Sequence, residues 1–359
     1  MERFQKTIFV ACGFFTFVRI IASFFPEQRL WGLNLLYYLP PVPRWIMVGI
    51  AFLVLVPKIN QKLADNLAFI FSRIGNLLEG VNRHFKYALL SLLSLPLFWL
   101  FKERMYLLRD GNLRGSEIVA GMSFSFTEPL DFYLHAVLFK ILKLNVYSIY
   151  ALLSCLAGVA FVYLVLLLAN KMGQNGEEKF LIFSVLVTMG ANQLFFGYVE
   201  SYTLMYGAVV AFLFFSWFYL QKRCGLWLPS LVFILAASLH LAGLVLLPSL
   251  IYLYLVKMPE NEVENKSILK LKRPVLLLFL FFLIGGGLWI LKNNVPSPVS
   301  LDSILLFPLG SSDKSLYSLF SLSHIVDVFN HQLLVSPVGA VIWLGLLFFF
   351  NKRINLKSK

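Results

Sequence analysis

Apolar residues fill this chain in long runs, at about 7–25, 45–56, 87–101, 146–168, 180–196, 202–220, 226–239, 241–255, 274–291 and 333–350. Several of them reach the roughly 20 residues that cross about 30 Å of hydrocarbon as a helix, and none alternates with the period of two that marks a barrel strand. Backbone amides in lipid must be paired within the chain, so the pattern predicts an all-α, polytopic bundle of ten spans. Arg19 is the one charge well inside a run, and it is expected to snorkel or to pair with a neighbouring helix. Because that charge interrupts the first run, and no small-residue cleavage site follows, the run reads as a retained anchor.

Two stretches break the pattern. Between 60 and 86, Leu63, Leu67, Ile70, Ile74, Leu77, Val81 and Phe85 recur every three or four residues, with Lys62, Arg73, Glu79 and Arg83 elsewhere on the wheel. That periodicity predicts an amphipathic helix on a membrane face. From 102 to 144 the chain instead gathers ionisable groups, Asp110, Glu117, Glu128, Asp131 and His135 together with Arg104, Arg109 and Arg114. This divides the chain into 1–86, an anchoring part, and 87–359, a membrane domain with polar loops at 102–145 and 292–332.

Composition sharpens the class. Hydrophobic residues make up 59% of the 359 and charged residues only 14%, so ionisable side chains are scarce and their placement is informative. With the amino terminus inside, the inner segments carry twenty Lys and Arg and the outer ones ten, which sets both termini on the cytoplasmic side. The formal charge of +13 then lies against anionic lipid, and nucleic acid need not be invoked as a partner. Cys12, Cys155 and Cys224 are far apart and form neither a disulfide framework nor a zinc motif.

With this orientation the 102–145 loop, the turn around Glu200, the break at His240 and the 292–332 loop all emerge on the outer side. Asp110-Gly111 reads as a turn or, functionally, as a general base flanked by Arg109 and Arg114. Glu128, Asp131 and His135 stand at i, i+3 and i+7, one face of a helix opened by Pro129, where capping and a substrate site are both open readings. Glu200 sits between two spans, where a lone carboxylate needs a partner or a task. His240 is a polar hinge or a substrate contact. His324, Asp327 and His331 repeat the i, i+3, i+7 spacing, and a divalent cation is a weaker reading of that trio.

The succession of an acidic residue in the first large outer loop, then EPLDFYLHAVLFKIL, FFGYVESYTLMYG and SLHLAGLVLLPS, resembles the GT-C glycosyltransferases, in particular the bacterial branch related to protein mannosyltransferases. Gly111 stands where that family usually has a second acid, and Glu128 where it has the histidine of a His-Pro-Pro-Leu type motif. The resemblance implies transfer of a sugar from a polyprenyl-phosphate donor to a hydroxyl acceptor on the outer face of the cell membrane. Asp110 would be the base, and Glu200 and Glu128 are further catalytic candidates. Arg104, Arg109, Arg114, Lys140 and Lys292 would meet the phosphate, with Asp131, His135, His240 and His324 also contacting substrate. The chain has no glycine-rich nucleotide fingerprint, which agrees with a lipid-linked donor. A polysaccharide polymerase or ligase, a transporter or lipid flippase, and a non-enzymatic scaffold are the alternative classes.

Overall fold

A computed structural model describes residues 3–28, 30–77, 80–104, 109–255 and 321–336, and every regular element among them is helical. In chain order these are α1 (Arg3–Ala22), α2 (Pro41–Leu55), α3 (Pro57–Leu77), α4 (Arg83–Leu92), α5 (Ser94–Leu100), α6 (Arg109–Val119), α7 (Pro129–Leu142), α8 (Val146–Met172), α9 (Gly176–Val187), α10 (Tyr202–Leu220), α11 (Trp227–Leu239), α12 (Leu247–Leu255) and α13 (Leu322–Val335). Short 3-10 turns cover Asn34–Tyr38, Gly190–Phe195 and Leu241–Leu246.

Among the described residues, α8 and α10 are long and apolar enough to cross a membrane, and α2 with the start of α3 makes a third if that bent pair is one span, against the ten spans expected over the whole chain. The expected runs at 87–101 and 180–196 are shorter than a span. Pro96 has no N–H to offer the Leu92 carbonyl, and the chain breaks at Leu93 into α4 and α5. The 180–196 run stops as α9 at Val187 and resumes as a 3-10 turn. The runs at 226–239 and 241–255 appear as short apolar helices on either side of His240. The expected run at 274–291, Lys292, and the expected run at 333–350 from 337 onward lie outside the described residues.

The chain divides into two compact units. The first comprises the described residues of Met1–Glu79, Thr188–Ala191 and Phe307–Lys359, and the second those of Gly80–Val187 and Asn192–Leu306. In the first unit Val56 is extended ahead of Pro57, and α3 leaves α2 at 89°. The amphipathic segment expected as one helix over 60–86 is therefore α3, ending at Leu77, and a separate α4. Gly80 takes φ +85° between them, and the Asn82 side chain caps α4 by accepting from His84 and Phe85. Residues Trp31 and Gly32 dock on α13: the Trp31 indole donates to Asp327 (3.0 Å) and the Gly32 amide to Asn330 (3.1 Å). Arg19 donates to the Leu333 carbonyl near the end of α13 (3.2 Å), so the lone charge in the first run is met by a helix carboxyl end.

In the second unit α10 lies along both α11 and α8, with Phe212, Tyr219, Phe233, Ala236 and Leu250 in one apolar cluster. Phe98, Phe161, Val165 and Phe195 form a second, and α4 and α5 pack on α8. The third cluster, Ile118, Phe132, Ala136, Val146, Tyr150 and Val199, joins α6, α7 and α8 to the turn before α10. Small residues permit that closeness. A Cβ at Gly115 would lie 2.7 Å from the Tyr147 ring, and one at Gly111 would overlap the Val199 carbonyl oxygen. The expected turn at Asp110-Gly111 is instead the first turn of α6, because the missing Cβ of Gly111 serves a close approach and not a reversal.

Candidate functional site

The third apolar cluster carries a polar one. Glu128, Asp131, His135, Glu200 and His240 are only 3%, 0%, 2%, 5% and 8% exposed, an unusual burial for such groups. Four separate segments supply these groups and Arg114: α6, the 125–135 stretch, the 199–202 turn and the break after α11.

Arg114 ties the first two together. Its Nη1 meets Glu117 at 2.8 Å, one turn along α6, and its Nη2 meets Glu128 at 2.8 Å across to the start of α7. Glu128 occupies the cap position of α7 with Pro129 first in the helix, yet its carboxylate makes no cap hydrogen bond. It takes Arg114 and the Thr127 hydroxyl (3.2 Å) on Oε1, lies within hydrogen-bond reach of Ser201, and has no partner on Oε2 among the described residues. Burial pushes its carboxyl above the ordinary range, Arg114 pulls it back in part, and Asp131 adds to the rise. Burial raises Asp131 as well, against the opposing influence of His135 and Arg114. Around Arg114 itself burial disfavours the charge, and Glu128 and Glu117 more than offset that, so the guanidinium stays charged.

One turn into α7, His135 Nδ1 lies 2.7 Å from the Asp131 carbonyl oxygen and 3.3 Å from its carboxylate. The ring stacks on Tyr150 at 3.5 Å between centroids. The Tyr150 hydroxyl is buried without a hydrogen-bond partner among the described residues and feels Asp131, Glu128, Arg114 and Glu200 together. Glu200 accepts from the amide (3.2 Å) and hydroxyl (3.4 Å) of Ser201, the residue that also reaches Glu128. The amide of Leu241 donates to the Thr127 carbonyl (2.8 Å), which brings the His240 break alongside Glu128. There the His240 ring packs on Tyr202 at 4.5 Å, and burial, helped by Arg114, lowers its pKa to about 4.

Sequence-predicted residues divide accordingly. Glu128, Asp131, His135, Arg114, Glu200 and His240 come together. Asp110 and Arg109 open α6, whose next residue, Gly111, abuts Val199, one residue before Glu200; their side chains lie outside the described ones. Arg104 is exposed, and Lys140 is exposed near the far end of α7 from Asp131. His324, Asp327 and His331 belong to the first unit, where Asp327 accepts from Trp31 and the His331 ring packs edge-on against the same indole (6.2 Å). Among the described residues no group of three or more His, Cys, Asp and Glu converges to hold a metal ion. Sequence reasoning missed Tyr150 and Ser201; each follows directly on a feature it did single out, the start of a long apolar run and Glu200.

The arrangement offers carboxylates poised to hold or release protons, two imidazoles and several hydroxyls around one guanidinium. Comparison of the chain with protein-family models, with curated proteins and with solved structures finds no match in any of the three.

Proposed function

We propose that this chain is a membrane glycosyltransferase of the GT-C type, moving a sugar from a polyprenyl-phosphate carrier to a hydroxyl acceptor on the outer face of the cell membrane. The observation that carries this reading is the gathering of Arg114, Glu128, Asp131, His135, Glu200 and His240 beside the starts of the two long apolar helices, α8 and α10. A lipid-linked donor keeps its tail in hydrocarbon, so its phosphate and sugar are presented at that depth. Large apolar side chains such as Phe14, Ile46, Leu213, Leu231 and Tyr252 are exposed, which suits lipid surroundings. Asp110, at the head of α6, is the base that the resemblance implies. Because Arg114 is shared between Glu117 and Glu128, the donor phosphate falls to Arg109, Arg104 and Lys292.

The test uses purified protein in nanodiscs with a labelled polyprenyl-phosphate sugar, reading binding and transfer separately. Asp110→Asn should bind donor normally and lose transfer by roughly 10² to 10⁴, the span of a general base. Full transfer in that variant would remove Asp110 from the role and leave Glu128 or Glu200. A second reading, proton-coupled transport, is favoured by the buried carboxyls with raised pKa at Glu128 and Asp131. Proton uptake by proteoliposomes on addition of a solute, without transfer activity, would select it.

A further inference from the structure

The two buried imidazoles of the cluster are held by the backbone in opposite tautomers. At His240, Nδ1 accepts a hydrogen bond from the Ala242 amide at 2.9 Å, so this nitrogen carries no proton and the neutral ring must carry it on Nε2. At His135 the partner of Nδ1 is a carbonyl oxygen, that of Asp131 at 2.7 Å, so here Nδ1 donates and the neutral ring leaves Nε2 as an acceptor. Neither Nε2 has a hydrogen-bond partner among the described residues, and neither is among the atoms sealed from solvent without one.

The groups around each ring are different. His240 faces Tyr202 on α10 and feels Arg114 from α6. His135 lies between Asp131 on its own helix and Tyr150 on α8. The two sites nevertheless share one guanidinium, since Arg114 acts on Asp131, the partner of His135, and on His240 alike.

We propose that His240 and His135 bind the sugar of the lipid-linked donor as a complementary pair, His240 giving an Nε2–H to a sugar oxygen and His135 taking a sugar hydroxyl proton into a hydrogen bond at Nε2. This rests on the glycosyltransferase reading for its ligand, whereas the tautomers stand on the protein alone. A polyol is the ligand class that needs both kinds of partner, because each hydroxyl donates and accepts. The bare carrier phosphate, an acceptor only, would gain from His240 alone. The low pKa of His240, about 4, agrees with a ring kept neutral in use.

Asparagine separates these roles from structural ones. In His240→Asn the amide oxygen stands where Nδ1 stood and can still accept from Ala242, and in His135→Asn the amide nitrogen can still donate to the Asp131 carbonyl; both lose Nε2. Protein labelled with 15N-histidine in nanodiscs should show His240 neutral and protonated on Nε2 from about pH 8 down to about pH 5.5, and the neutral His135 ring protonated on Nδ1. The two Asn variants assign the signals. Binding is read with two probes, a polyprenyl-phosphate hexose and the same polyprenyl phosphate without sugar. Each variant should weaken the hexose probe about tenfold, one net hydrogen bond, and leave the bare carrier unchanged. Equal loss for both probes, or none, overturns the assignment to the sugar. Matching tautomers, or a His240 that takes a second proton near its ordinary pKa, overturn the pairing itself. If wild-type protein binds neither probe, the donor reading fails together with the ligand assigned here, and the spectra still decide the tautomers.

Discussion

Replacing Arg114 by Ala should destabilise the fold strongly, because the side chain neutralises two carboxylates at once in a place with little water. The Arg114 side chain is 13% exposed, Glu117 12% and Glu128 4%, so solvent cannot take over as partner for Glu128. Two charge-assisted contacts of 2.8 Å disappear, each worth about 1.5–3 kcal/mol net, and the one to Glu117 nearer the rim counts for less. Breaking a buried ion pair from one side costs about 3–5 kcal/mol, and the expected loss lies in that range. Arg114→Lys should recover only part of it, since an ammonium is a point charge and cannot bridge both carboxylates in one plane. The pair Arg114→Met with Glu128→Gln should be far less costly than the sum of its singles, with a coupling of at least about 2 kcal/mol. The measurement is denaturant-induced unfolding in mild detergent, followed by tryptophan fluorescence. The penalty of Arg114→Ala should also shrink as pH falls, because Glu128, already raised by burial, protonates more readily once its counter-charge is gone. A cost below about 1 kcal/mol, or additive singles, would refute the view that Arg114 holds α6 and α7 together electrostatically.

The remaining predictions are shorter. Glu128 and Asp131 have folded pKa values raised above 4.5 and 3.8, so the stability they contribute is full below those values and is lost as pH rises through the folded pKa. His240, lowered from 6.5 to about 4, works the other way, contributing stability above 6.5 that is lost as pH falls towards 4. Unfolding followed against pH should therefore lose part of its decline with rising pH above 3.8 in Asp131→Asn, and part of its decline with falling pH between 6.5 and about 4 in His240→Asn; unchanged profiles would rule out these groups as the source. Tyr150→Phe keeps the ring stacked on His135 and removes a buried hydroxyl that has no partner among the described residues, so stability should hold or rise by up to about 1 kcal/mol, while loss of the proposed sugar transfer would place that hydroxyl against the substrate. A cysteine at Asn112 in a cysteine-free background should react with an impermeant thiol reagent from outside and one at Asn355 should not; the reverse result would invert the orientation drawn from the basic residues.

Much of the helical frame was legible because it depends on local chemistry. The apolar run at 202–220 is α10, that at 146–168 is the greater part of α8, and Pro129 opens α7 with Asp131 and His135 on its buried face. What the sequence hid depends on contacts between distant segments. Arg104, Arg109 and Arg114 are equivalent as letters in one polar stretch, and only the packing of α6 on α7 shows that Arg114 is the one shared between Glu117 and Glu128. Asp110-Gly111 has the composition of a turn, but the Val199 carbonyl claims the space where a side chain at 111 would stand, and α6 starts there. Tyr150 carried no polar signal within an apolar run, yet its ring and hydroxyl lie at the centre of the cluster.

The lengths of α8 and α10 bear on where the polar cluster lies. At about 1.5 Å per residue, the 27 residues of α8 rise about 40 Å, some 10 Å more than the hydrocarbon core, whereas the 19 of α10 rise only about 28 Å. The surplus of α8 accommodates Tyr150, in its second turn, at headgroup depth while leaving enough apolar helix to span. No such surplus exists in α10, so Glu200 and Ser201, immediately before its first residue, fall at the edge of the hydrocarbon. α11 runs back along α10 and ends at His240, beside Tyr202 at the start of α10, which returns the chain to the same level. If α8 and α10 cross a membrane, the cluster therefore lies at one face, enclosed by protein. The same packing explains how ionisable groups persist there: Arg114, backbone amides and neighbouring hydroxyls supply the partners that hydrocarbon would deny them.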